Sequence, residues 1–160
     1  MRPLVAIAIV GATLVATEAL AWAVHRYVMH GIGWRWHRSH HQPGPGRLEA
    51  NDAYSVIAAV AVVALFTASG GPASPWWWVA LGATLYGALY AIVHDGWAHR
   101  RWPAGTGPRR GWIARLVRAH RLHHAVSERD GAVSFGFLWA PSPERLARAL
   151  RTSGAARRGR

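Results

Sequence analysis

The chain has 160 residues, the size of one ordinary domain, which argues against a two-domain enzyme carrying its own cofactor domain. Apolar residues make up 51% of it, yet 19 cations, all arginine, stand against 7 acids for a formal net charge of +12. The absence of cysteine excludes disulfides, zinc–thiolate sites, ligated iron–sulfur clusters and thiolate-bound haem together.

A basic, tryptophan-rich chain fits either a nucleic-acid binder or a membrane protein whose cations face the cytoplasm, and the distribution of charge decides between them. From Leu4 to Val24 the only charged residue is Glu18. The runs Tyr54–Gly70 and Trp76–Val93 carry no charge at all. At about 1.5 Å per residue each run is long enough to cross a hydrocarbon core, the second only just. No nucleic-acid partner is expected. Ala19-Leu20-Ala21 looks like a signal-peptidase site, but the stretch before it is too long for a signal core and holds an acid, so it reads as a retained first helix.

Ser69–Pro75 is an uncharged cluster of breakers, and Trp76, Trp77 and Trp78 directly after it suit an interfacial aromatic belt. Residues 54–93 are therefore expected to form a helical hairpin. Gly82, Ala83, Gly87, Ala88 and Ala91 of the third run, with Ala58, Ala59, Ala61 and Ala64 of the second, either leave room for a rigid apolar molecule or serve close helix packing. Ala132–Ala140 is too short to span and is expected to dip into the interface. Residues 142–160 read as a basic amphipathic helix, with Leu146 and Leu150 on one face, and a frayed tail; residues 1–141 form the membrane domain. Arg26, Arg35, Arg38 and Arg47 lie in 25–53 and fourteen more arginines follow residue 99, so the positive-inside rule makes both segments cytoplasmic. The expected fold is an all-α integral membrane bundle of three to four spans, set in the inner membrane.

All ten histidines fall in those two segments, in four clusters: His25 and His30; His37, His40 and His41; His94 and His99; His120, His123 and His124. The pattern HxxxxH then HxxHH occurs twice, once on either side of the hairpin. On a helix, positions i, i+3 and i+4 share a face, so each HxxHH can aim three imidazoles at one point. The HxxxxH pairs lie about 140° apart on an ideal α-helix, so they fit a helix that unwinds as it leaves the membrane, or two rings serving different metals. Imidazole suits Fe, Zn, Cu and Ni, and ten ligands are too many for one ion, so two metals are implied. Such a pair can activate O₂ or a water-derived nucleophile.

Two acids join the candidates. Asp95 adjoins His94 and is read as an acceptor orienting an imidazole, or as a helix-end cap. Glu18, seven residues before His25 on the same helix face, is read as a proton holder, a partner of a ligand histidine or a direct ligand, with an acid reaching the interface as the alternative. Glu49, Asn51 and Asp52 read as caps of the second helix.

The order HxxxxH, HxxHH, HDxxxH, HxxHH resembles that of the membrane fatty-acid hydroxylase superfamily of non-haem di-iron enzymes. Thr17-Glu18, Trp22, His25–Gly31, Trp36–His41, His94–Gly96, Arg101–Pro103, Ala119–Val126 and Val133–Phe137 are similar to the bacterial beta-carotene 3-hydroxylase group within it, over about residues 4–141. The resemblance implies two iron ions with all ten histidines as ligands or near-ligands, O₂ as co-substrate, and hydroxylation of a carotenoid ring at carbon 3, beta-carotene giving zeaxanthin by way of cryptoxanthin. Members are often drawn with four membrane helices, where this sequence offers three clear spans. Carotenoid ketolation and sterol or fatty-acid hydroxylation would share the ligands. A haem carrier or a metal transporter would instead place its histidines well inside the spans. The chain has neither a GxGxxG turn nor cysteine, so its electrons should come from an external donor, a ferredoxin and its reductase. The surface of Arg100, Arg101, Arg109, Arg110, Arg115 and Arg118 would attract such an acidic carrier, or anionic lipid.

Overall fold

The computed structural model describes residues 1–103 and 105–154, which are helical with no strand among them. Three helices are long and apolar enough to cross a membrane. The chain is an all-α membrane protein.

Helix α1 (Pro3–Ala23) opens on a proline, whose missing N–H is harmless in a first turn. It runs unbroken into a π-helical segment, π1 (Val24–Ile32), that ends at a kink on Gly31. The short α2 (Trp34–His41) follows. Helix α3 (Asp52–Ser69) stops at Gly70, whose φ of 70° lies in the left-handed region that glycine tolerates best. Ser74 caps α4 (Pro75–Tyr90), which continues into π2 (Ala91–Ala98). Helices α5 (Gly111–His123) and α6 (Pro143–Ser153) complete the chain. The tail beyond Gly154 lies outside the described residues.

The expected hairpin forms: α4 packs against α3 on one side and α1 on the other. Outward faces are apolar, with Leu4 79% and Ile7 68% exposed, and α3 buries none of its residues, as suits helices solvated by lipid. Trp76 is exposed at the turn, Trp77 packs edge-on to Phe66, and the Trp78 indole donates to the Pro72 carbonyl.

Of the two expectations for the small residues, close packing holds at Gly82, against the first span. At Gly82 a Cβ would stand 2.7 Å from the Cβ of Thr13, so glycine there allows α1 and α4 to touch. The open space lies beside that contact, as an apolar groove of about 460 Å³ between α1 and α4 lined by Ile9, Thr13, Thr17, Leu20, Val79 and Ala83. Gly82→Leu is expected to separate the two helices and cost about 1–3 kcal/mol, an overpacking penalty, read as lower thermal stability in detergent. Gly87→Leu, where nothing lies within 4 Å, should be tolerated.

Residues 132–140 carry no regular secondary structure. They form an irregular strap pinned over the histidines, because Glu18 accepts from the backbone N–H of Phe137 (2.8 Å) and Trp139 (3.1 Å). Arg101 is no surface cation: its guanidinium holds Asp52 through two 2.7 Å bonds and the Arg47 carbonyl through a third. Arg100, Arg109, Arg110 and Arg118 are exposed, as expected. Helix α6 closes the end of the molecule, burying Leu146 against Leu116, Ala119 and Ala140, and Leu150 against Val126 and Ala132.

Candidate metal centre

The five-residue spacing of HxxxxH becomes one turn of π-helix. The His99 N–H bonds the His94 carbonyl at 2.9 Å, and Gly33 N–H the Val28 carbonyl at 2.8 Å, both i→i+5. Residues five apart therefore stack on one face. The His25 and His30 rings are 5.2 Å apart between centroids, and those of His94 and His99 4.6 Å. The helix widens rather than unravels.

The four clusters converge into two groups. His25, His30, His37, His41 and His123 each offer one ring nitrogen to the first, and His40, His94, His99 and His120 to the second; within each group the offered atoms lie within 4.8 Å of one another. The HxxHH triplets thus do not aim at one point. Residues i and i+4 of the first triplet, His37 and His41, face one group, and His40 faces the other. The second triplet sends His120 to one group and His123 to the other. His124 stands between the groups, its ring 4.4 Å from that of His41 and 4.6 Å from that of His120.

The outer nitrogens are held by acceptors. Nδ1 of His25, His30, His41 and His123 donates to the carbonyls of Phe135 (2.9 Å), Arg129 (2.7 Å), Val126 (2.8 Å) and Val133 (3.0 Å). Nδ1 of His37 donates to Asn51 Oδ1, that of His40 to Glu49 and that of His94 to Asp95, each at 2.7 Å. In a neutral imidazole one nitrogen carries the proton and the other a lone pair. Seven rings are therefore fixed with the lone pair on Nε2, pointing inward.

Those lone pairs face each other. Nε2 to Nε2 distances are 3.1 Å for His25–His37, 3.2 Å for His30–His123, 3.1 Å for His41–His123 and 3.1 Å for His40–His94. With both protons committed outward, none of these pairs is a hydrogen bond. Burial disfavours the charged form of the rings around them, lowering His37 to about 2, His99 to about 3 and His41 to about 4, and holding His120, His123 and His124 well below the ordinary value. His124 Nε2 is buried with no hydrogen-bond partner. Converging lone pairs and an orphaned buried acceptor fit a cation in each group, and the all-imidazole donor set suits a transition metal.

The supports differ between groups. Carbonyls and an amide orient the first; carboxylates orient two rings of the second. Asp95 lies against His94, where the sequence placed it. Glu18 touches no histidine. Besides the strap, it accepts from the Tyr86 hydroxyl at 2.8 Å, so it positions a wall of the site. Glu49 and Asn51 were read as caps, yet no side chain caps α3; they hold His40 and His37 instead. Asp52 is committed to Arg101 and to the Glu49 N–H.

Aromatic rings close the space. Phe135 meets His25, His30 and His123 edge-on at 5.2–5.4 Å, and Trp34 lies 5.3 Å from His30. Phe137 meets Tyr90 at 5.2 Å, and the Tyr90 ring stacks on His94 at 4.1 Å. No side-chain pattern marked these roles in advance.

The molecule is a helical membrane bundle with two histidine groups, each able to hold a metal ion, at one end of its spans. The fatty acid hydroxylase family profile matches residues 10–142, and the chain belongs to that family. It is 50% identical over 150 residues to a beta-carotene hydroxylase of Paracoccus sp. (strain PC1), covering 93% of each chain. Identity is 47% to a beta-carotene hydroxylase of Pantoea ananas, over 94% of this chain and 86% of that one. It is 37% to a chloroplastic beta-carotene 3-hydroxylase of Haematococcus lacustris, over 83% of this chain and 42% of that one. No solved structure matches.

Proposed function

We propose that this chain hydroxylates beta-carotene at carbon 3 of each ring, giving zeaxanthin by way of cryptoxanthin. The observation that carries the reading is the pair of inward-facing imidazole groups in a chain half identical to bacterial proteins named beta-carotene hydroxylases. Each ring consumes one O₂, two electrons and two protons, replaces one C–H by C–OH and releases one water.

Two iron ions are the metals we assign. His25, His30, His37, His41 and His123 would hold one and His40, His94, His99 and His120 the other, with His124 between them. Bound there, the iron pair supplies the O₂ activation that side chains cannot. Residues 1–141 are the catalytic unit, and α6 braces it. The carbonyls of Val126, Arg129, Val133 and Phe135, with Glu49, Asn51 and Asp95, keep each imidazole in the tautomer that ligates. Phe135, Phe137 and Trp34 exclude water. The substrate stays in lipid, since each exposed CH₂ costs about 0.8 kcal/mol in water, and it reaches a site placed at the ends of membrane helices. Those ends face the cytoplasm in the inner membrane, where the exposed Arg100, Arg109, Arg110 and Arg118 present positive charge to an acidic donor such as a ferredoxin served by its reductase.

Pigment analysis of a beta-carotene-producing host expressing the chain tests the reading. Zeaxanthin with cryptoxanthin as the intermediate is expected. Canthaxanthin would make the chain a ketolase, and unchanged beta-carotene in a host that supplies reductant would move the substrate to a sterol or fatty acid.

A further inference from the structure

Among the described residues, Tyr90 is the one phenol that reaches an inward-facing nitrogen. Its hydroxyl lies 3.0 Å from Nε2 of His94, and its ring stacks on that imidazole with an interplanar angle of 21°. Asp95 accepts from the His94 Nδ1–H at 2.7 Å, which leaves Nε2 unprotonated and makes the Tyr90 O–H the donor towards that nitrogen. The same Nε2 stands 3.1 Å from Nε2 of His40, which puts the phenol oxygen on the inner side of the second group. Phe137, held by the strap that Glu18 pins, packs against the phenol ring and fixes it there.

A lone pair cannot serve a metal and a hydrogen bond at once. With a metal on His94 Nε2, the Tyr90 hydroxyl, on a half-buried ring, would need another acceptor. The second group offers four histidines, which leaves a five- or six-coordinate ion a position for an exogenous ligand. A ligand bound there would offer the Tyr90 hydroxyl an acceptor.

We propose that Tyr90 donates a hydrogen bond to the small exogenous ligand occupying the open position of the second metal. The proposal deepens the di-metal reading and rests on it. It makes Tyr90 a stabiliser of whatever small anion or oxygen species sits there, a role that the histidine pattern does not reveal.

Azide binding to the iron-loaded, oxidised full-length chain in detergent is the test. Tyr90→Phe removes only the hydroxyl. It should retain the wild-type metal content and bind azide about tenfold more weakly, as befits loss of one hydrogen bond to a charged group. Tyr27→Phe, at an exposed ring, should bind as wild type does. In the wild type the stretching band of bound azide should shift in D₂O, and Tyr90→Phe should abolish the shift; the wild-type measurement stands even if the variant unfolds. Equal azide affinity in Tyr90→Phe, or no D₂O shift in the wild type, would overturn the proposal. Loss of one metal from Tyr90→Phe would overturn it too, by making Tyr90 a ligand. A wild-type chain that takes up no metal would defeat the histidine reading itself, and the proposal with it.

Discussion

Alanine in place of His123 is expected to bring hydroxylation to background and to empty the first metal position. His123 is fully buried, and its Nε2 stands 3.2 Å from that of His30 and 3.1 Å from that of His41, so three of the five lone pairs of that group meet there. Its Nδ1 also ties the strap through the Val133 carbonyl. Metal sites tolerate few missing ligands. Metal content per chain should fall by at least one ion while circular dichroism keeps its helical signal. The same loss of turnover is expected of the other nine histidines, each tested as a single alanine variant. Full activity in several of them would mean that the rings serve packing.

The second large effect is expected at Glu18. This acid sits in a membrane-spanning helix, where an unpaired charge is expensive. Its three donors are the Tyr86 hydroxyl and the N–H groups of Phe137 and Trp139. Glu18→Ala would leave those donors unpaired and cost about 2–4 kcal/mol, one buried amide or hydroxyl accounting for about 1–3 of it. The cost should be local. The strap carries the Val133 and Phe135 carbonyls that orient His123 and His25, so the variant should lose most activity and become open to proteolysis within 126–140. Glu18→Gln keeps one carbonyl oxygen for the N–H groups, turns an NH₂ toward Tyr86, and should recover part of the activity. A variant Glu18→Ala that resists protease and turns over normally would show that the strap holds without it.

What was legible in the sequence follows from which groups leave a mark on it. Apolar runs, breakers and arginine placement sufficed for three helices and a hairpin, because lipid demands uncharged helices of fixed length. The histidines were legible as a site since all ten cluster. Their wiring was not, because the i, i+5 pairs sit on π-turns closed by i→i+5 bonds, and nothing in residue identity distinguishes a π-turn from an α-turn. The HxxHH triplets split because their rings lie between two groups and each turns to the nearer. Glu49 and Asn51 sit just before a helix, where a cap and a histidine partner look alike. Backbone carbonyls that orient four histidines leave no trace in residue identity. Glu18 found its partners about 120 positions away, which no local pattern records.

The claim that everything else depends on is that the two imidazole groups hold two non-haem irons. Iron analysis and an optical spectrum of the chain purified in detergent test it together. Two irons per chain without a Soret band is the predicted result. A Soret band, or a catalytically active chain that carries fewer than two metal ions, would contradict it.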